Sequence, residues 1–290
     1  MDFDTAIAKA WNDHAADARG VAARLPALQP LVTAEAQLER LIAITHHVHG
    51  EHLGEWAAGA TALNALRALP VYRDESGSGQ ALRRSLASLA LCGGATPPEM
   101  SASDRIRVHA MAASNLAAHD AERASQTLQQ ALALAECSGL PDTDPMHRAI
   151  AVAGHNLACT LEEKPGRSAD ERALMILAAR ASRHHWERAG TWLEVERAEY
   201  RLAMSWLQAG DFVEARAHAQ SCLDIVDANA GAALERFFGW EALGVVARAA
   251  GHRAVHAQAV ERARAAFAEL AADDQGWCRA SLDNLAAAGA

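Results

Sequence analysis

Apolar positions along this chain recur with helical spacing and are interrupted by short clusters of Gly, Pro, Asp and Asn. Gly210-Asp211-Phe212 is one such break, with Leu202 and Ala203 before it and Ala219 and Leu223 after it. Runs of β-branched residues are scarce, so the whole chain reads as helical. A first helix is expected over about 4–25, ended by Pro26 and Pro30, because proline breaks a helix interior. A second begins near Thr33, whose hydroxyl can cap it. Glu35 falls in its first turn, where a negative charge suits the helix dipole. A full capping box is not expected, since Ala36 stands where Glu or Gln would be needed.

That helix is expected to reach about residue 51, and a third covers about 56–69, stopping at Pro70. Residues 74–80 read as a flexible loop, and a helix over about 81–91 follows. Gly93-Gly94 through Pro97-Pro98 form a second breaker, after which Ser103 or Asp104 is expected to cap the next helix. From there helix and turn alternate. The turns fall near His119, Gly139-Leu140-Pro141, Lys164-Pro165-Gly166, Gly190, Gly210, Asn229-Ala230-Gly231, Gly251 and Asp273-Asp274.

These breakers separate helices of about 15–20 residues, which suits antiparallel hairpins. Around Gly210-Asp211-Phe212, Leu202, Ala203 and Trp206 precede the turn, and Ala215, Ala219 and Cys222 follow it. This arrangement resembles the hairpin of the tetratricopeptide repeat (TPR) family. The resemblance extends to Trp240, Leu243 and Gly244, then Gly251, Val260 and Ala263, although His256 stands where a small residue is usual. Met111, Ala112, Ala124, Leu128 and Ala131 make a weaker unit around His119-Asp120. Gly54-Glu55-Trp56, followed by Gly59, Leu63 and Leu66, makes another, with His46 and His47 at its apolar and small positions. Leu157, Ala158 and Leu161 precede an enlarged turn at Gly166. The unit starts step by about 41–46 residues, longer than the usual repeat of about 34.

The resemblance implies an all-α fold: a right-handed superhelix of antiparallel helix hairpins, a TPR-like α-solenoid. It would comprise an N-terminal part over 1–100, with one hairpin and the 74–80 loop, and a repeat array over 101–290 packed as one continuous solenoid. In the family, first helices line a concave groove. Carried over, those positions are His109, His155, Glu162, Arg197, Tyr200, Met204, Gln208, Glu241 and Arg248. The lysines that clamp a chaperone-type C-terminal carboxylate are absent from them.

The resemblance therefore implies a non-catalytic scaffold or adaptor of bacterial type, binding a peptide or helix of another protein. A homodimer stays open. One alternative is a ligand-sensing helical module acting on a separate effector chain. Another is a metal-dependent helical enzyme using the histidines at 46–52.

Composition narrows the partners. The formal net charge is -9 with both signs interspersed, and no basic stripe with interleaved aromatics is present, so nucleic acid is not an expected partner. Five cysteines without a CxxC fit buried thiols in a reducing, cytoplasmic setting. The acidic start, Met1-Asp2-Phe3-Asp4, is unlike a signal peptide, and no apolar run is long enough to span a membrane.

One segment is chemically loud: His46-His47-Val48-His49-Gly50-Glu51-His52, with Glu55. On a regular α-helix His49 and His52 share a face, and His47, Glu51 and Glu55 fall on successive turns. The plain expectation is a polar helix end and no metal, because HExxH is missing and Gly50 and Gly54 weaken the helix. The alternative is a transition-metal site at His49, His52 and Glu55. His252/His256, His184-His185 and the HD-like pair His119-Asp120 read as structural. No Gly-x-Ser-x-Gly, phosphate loop or dinucleotide fingerprint occurs, so neither catalysis nor a cofactor is expected.

Overall fold

The computed structural model describes residues 2–287. These form fourteen α-helices and no strand: α1 (Phe3–Asp13), α2 (Ala18–Arg24), α3 (Glu35–His47), α4 (Trp56–Ala65), α5 (Gly77–Cys92), α6 (Ala102–Leu116), α7 (Ala121–Cys137), α8 (Pro145–Glu163), α9 (Ala169–Ala189), α10 (Trp192–Ala209), α11 (Phe212–Ala228), α12 (Ala233–Ala249), α13 (Arg253–Ala268) and α14 (Ala272–Ala286). Tight 3-10 turns cover Leu25–Leu31 and Leu66–Ala68, and a π-helical turn covers Val48–His52. The chain divides into two compact units, Met1–Ala153 and Gly154–Ala290, with the boundary inside α8. Among the described residues no helix is long and apolar enough to cross a membrane.

In the first unit α1 packs on α3, α3 and α4 on α5, α5 on α6, and α6 on α7. Ile7, Val21, Leu38, Leu41, Ile44 and Leu63 are fully buried in its core. Burying each such side chain contributes about 1.5–3 kcal/mol. The first helix is not continuous to Leu25. It stops at Asp13, and a new helix starts after Asp17, whose carboxylate accepts from the Gly20 N–H at 2.8 Å. The prolines that were expected only to end it are carried inside the 3-10 turn.

Helix α3 begins at Glu35, and its cap differs from the expected one. Thr33 does not cap with its hydroxyl. Instead Gln37 Oε1 reaches back to the backbone N–H of Thr33 at 2.9 Å and of Ala34 at 3.2 Å. Residues 77–80 of the expected loop are the first turn of α5. Glu35, distant in the chain, satisfies that helix start by accepting from the Ser78 N–H at 3.0 Å. A Cβ at Gly79 would lie 2.2 Å from the Asp74 carbonyl oxygen, so the helix start folds back against its own loop. The α6 cap is Ser101, which accepts from the Asp104 N–H at 3.1 Å, rather than Ser103 or Asp104.

In the second unit consecutive helices from α9 to α14 pack in order, and α10 also packs on α12 and α12 on α14. Gly210 takes the left-handed conformation, with φ 86°, and ends α10. Asp211 caps α11 through bonds from the N–H groups of Val213 and Glu214 at 3.2 and 3.1 Å. Ala203, Ala215, Ala219 and Cys222 are fully buried where α10 and α11 meet. The irregular His256 is accommodated by its ring, whose Nδ1 donates to the Gly244 carbonyl at 3.0 Å. Of the cysteines, Cys92, Cys222 and Cys278 are buried, whereas Cys137 is exposed.

Candidate functional site

The second unit contains a cavity of about 330 Å³. Its lining comes from alternate helices: His155 on α8, Glu196, Arg197, Tyr200 and Arg201 on α10, Leu234, Glu235 and Phe238 on α12, and Trp277 on α14. The α10 residues fall at i, i+1, i+4 and i+5, one helical stripe. Tyr200, Phe238 and Trp277 form an aromatic wall. The first pair meets at 5.9 Å between ring centroids, nearly edge to face, and the second at 5.2 Å. Trp277 is 66 % exposed, an unusual state for so large an apolar side chain.

Ionisable groups crowd the same place. Arg201 pairs with Glu162, which also accepts from Ser205 Oγ at 2.5 Å. Burial opposes the Arg201 charge, but Glu162 more than restores it. Arg197 reaches Glu235 at 3.3 Å. Glu196 is only 2 % exposed, and its Oε1 has no hydrogen-bond partner. Burial first, and then the nearby Glu235, push its carboxyl up to about 7, against a smaller pull from Arg197. Burial likewise pushes Glu241 up to about 7, although the Tyr200 hydroxyl donates to its Oε2 at 3.0 Å. His155 is pushed down to about 4 by burial and then by Arg201, so its ring is neutral at physiological pH.

Of the positions that the TPR resemblance assigned to a groove, His155, Arg197 and Tyr200 line this cavity. Glu162 and Glu241 stand behind it as partners of Arg201 and Tyr200. The others are placed differently. Met204 packs against the apolar core, Gln208 accepts from Arg167 at 2.7 Å, and Arg248 donates to the carbonyls of Asn284 and Ala287 at the end of α14. His109 lies in the first unit, its Nδ1 bonded to the Arg105 carbonyl one turn back at 2.8 Å. Glu196, Arg201, Leu234, Glu235, Phe238 and Trp277 were not singled out by the sequence. The i, i+4 relations of Glu196 to Tyr200 and of Arg197 to Arg201 were the available signal for the first two.

The histidine-rich segment is organised around the π-helical turn. His49, His52 and Glu55 do not converge. His49 is buried against α4, where a Cβ on Gly59 would come 2.7 Å from the His49 Cβ, and Glu55 pairs with Arg19 at 2.9 Å. His52 instead meets His47, with their Nε2 atoms 3.1 Å apart. His14, from the break after α1, joins them, and one ring nitrogen of each of the three lies within 4.8 Å of the others. Trp11 packs on both His14 and His47 at 5.3 Å.

The turn explains this meeting. On an α-helix an i+5 residue sits about 140° round the axis from residue i. Backbone bonding shifted to i→i+5, as in Leu53 N–H to the Val48 carbonyl at 3.0 Å, brings the two rings onto one side. Partial desolvation of a ring whose outer edge stays open to solvent, then the crowding of His47 and His14, push His52 down to about 4. Burial also works against the Glu51 charge, but the 3.0 Å contact with His47 Nδ1 and the surrounding imidazoles outweigh it and hold that carboxyl below its usual range.

No protein-family model matches the chain, and neither the curated proteins nor the solved structures contain a match to it.

Proposed function

We propose that this protein is a non-catalytic interaction module of TPR-like hairpins, whose second unit holds a peptide or helix of a partner protein with a basic side chain seated in the cavity. One observation carries the reading: the cavity lining comes from the alternate helices α8, α10, α12 and α14. Stacked hairpins present one helix of each pair to an extended binding face.

The occupant's charge follows from Glu196, because the two arginines of the lining are already paired, Arg197 with Glu235 and Arg201 with Glu162. Glu196 offers a buried carboxyl oxygen with no partner, and Glu235 stands near it. An arriving lysine or arginine ionises Glu196 and gains a charge-assisted hydrogen bond. The faces of Phe238 and Trp277 add cation–π attraction.

The test is fluorescence anisotropy of the full chain with basic, neutral and acidic peptides of equal length. Basic peptides are expected to bind selectively. Glu196→Gln and Trp277→Ala are each expected to weaken them at least about tenfold, or about 1.4 kcal/mol, without loss of helicity. Equal binding of acidic peptides, or indifference to Glu196→Gln, would sink the reading.

The cavity volume, about 330 Å³, is also that of a small-molecule pocket, which favours a second reading as a ligand-sensing module acting on a separate effector. Free arginine distinguishes the two. Binding as tight as that of the peptides supports sensing, and much weaker binding supports the peptide groove.

A further inference from the structure

We propose that His14, His47 and His52 form a binding site for a divalent transition-metal ion of the Zn²⁺ class, with water completing the coordination. The site lies wholly in the first unit and does not rest on the reading of the second.

The donor set selects the metal. Three imidazoles suit Zn²⁺, Ni²⁺, Cu²⁺ or Co²⁺, whereas Mg²⁺ and Ca²⁺ require oxygen ligands. Their spacing is close to that required. Metal–nitrogen bonds of about 2.0–2.1 Å in a tetrahedron place neighbouring nitrogens about 3.3 Å apart. His47 and His52 already stand at 3.1 Å, and all three rings offer a nitrogen within 4.8 Å of the others. Small side-chain rotations close the trio, and His52 is exposed, so the ion can reach the site from solvent.

The outer partners orient two of the rings. His47 Nδ1 faces Glu51 Oε1 at 3.0 Å, and His14 Nδ1 bonds the Trp11 carbonyl. A carboxylate and a backbone carbonyl are the usual holders of a ligating histidine's second nitrogen. Each leaves Nε2 as the open nitrogen of its ring. In the metal-free form the contact between the His47 and His52 Nε2 atoms requires one ring proton between them. The ion takes that place once the proton moves to the other nitrogen of the same ring.

The backbone beneath is held rigidly. A Cβ at Gly50 would lie 2.4 Å from Asn115 Oδ1, Gly54 has φ 63° against the His119 ring, and His119 Nε2 donates to the Glu51 carbonyl at 3.2 Å. Packing on α6 therefore stabilises an uncommon π-helical turn, a feature that recurs at functional sites. A bound ion would staple the end of α1 to the end of α3.

The test is titration calorimetry of tag-free, chelator-stripped full-length protein with Zn²⁺, together with the visible spectrum of the Co²⁺ form. One equivalent is expected to bind at micromolar or lower concentration, and Mg²⁺ is not expected to compete. His14→Gln and His52→Gln should each weaken binding at least about tenfold, and Glu51→Gln by about 10–100-fold, the range seen for outer partners. His184→Gln should change nothing. The Co²⁺ form should show the intense bands of a four-coordinate ion, lost in the His14→Gln/His52→Gln double variant. Far-UV circular dichroism establishes that the variants are folded. Failure of the wild type to bind one equivalent, or full retention of binding by the folded double variant, overturns the proposal.

Discussion

The Tyr200 hydroxyl donates a 3.0 Å hydrogen bond to Glu241 Oε2 and so ties α10 to α12 beside the cavity. Both groups are largely withdrawn from water, and burial acts on each in the same direction: it raises the Tyr200 phenol well above its ordinary value and the Glu241 carboxyl to about 7. Removing the donor leaves a buried carboxyl with its desolvation uncompensated. Tyr200→Phe is expected to destabilise the protein by about 1–3 kcal/mol. Adding Glu241→Met should recover part of that loss, because two apolar groups need no partner. Urea denaturation of the two variants measures both effects.

Stability should depend on pH through the raised carboxyls. Glu196 and Glu241 titrate near 7 in the folded chain, against a reference value of 4.5. Their contribution is fully present below about 4.5 and is lost as pH rises through about 7, because the folded state holds the protons more tightly across that window. His46 and His155, both pushed down to about 4, act in the opposite sense: their contribution is present above 6.5 and is lost as pH falls through about 4. The wild-type profile is therefore a compromise, and difference measurements isolate each part. Glu196→Gln should raise the Tm relative to wild type at about pH 8 and make little difference at about pH 4. The reverse trend would mean that Glu196 is ionised and paired in the folded chain.

Gly244 is a packing glycine. A Cβ there would sit 2.6 Å from Leu285 Cδ1 and 3.1 Å from the Ala259 Cβ, squeezed between α14 and α13. Gly244→Ala is expected to cost about 1–3 kcal/mol by overpacking. Leu285→Ala in the same chain should relieve the closer of the two clashes, so the double variant should be more stable than the sum of the single effects predicts. Additive effects in urea melts would place the strain elsewhere.

Local chemistry made much of the fold legible. Gly210 needs a positive φ, Asp211 caps the following helix, and small residues sit at the α10–α11 crossing. Each of these is set within a few residues of chain, so the hairpin could be read without knowing its neighbours. The start of α5 could not. Gly77 and the residues after it look like a flexible loop until Glu35, far away in the chain, supplies the acceptor for Ser78. The break after α1 was hidden for a similar reason: an Asp17 cap competes with good helix formers on both sides.

The candidate sites divide along the same line. The TPR resemblance assigned His155, Arg197 and Tyr200 to groove positions, and they line the cavity. Phe238 and Trp277 join it because α12 packs beside α10 and α14 beside α12, a matter of helix docking rather than of sequence interval. The histidine segment shows the limit most clearly. A count at about 100° per residue pairs His49 with His52. The chain pairs His52 with His47 and His14, because α6 holds Val48–His52 in a π-helical turn and the break after α1 carries His14 to it.

The sequence by itself determined the helical character, most of the turns and the small-residue crossings, because propensity, capping and glycine conformation act over one or two turns of chain. Tertiary structure alone decided which side chains share a cavity and which histidines meet, because those depend on distant residues fixing the backbone and on helices brought together from separate parts of the chain.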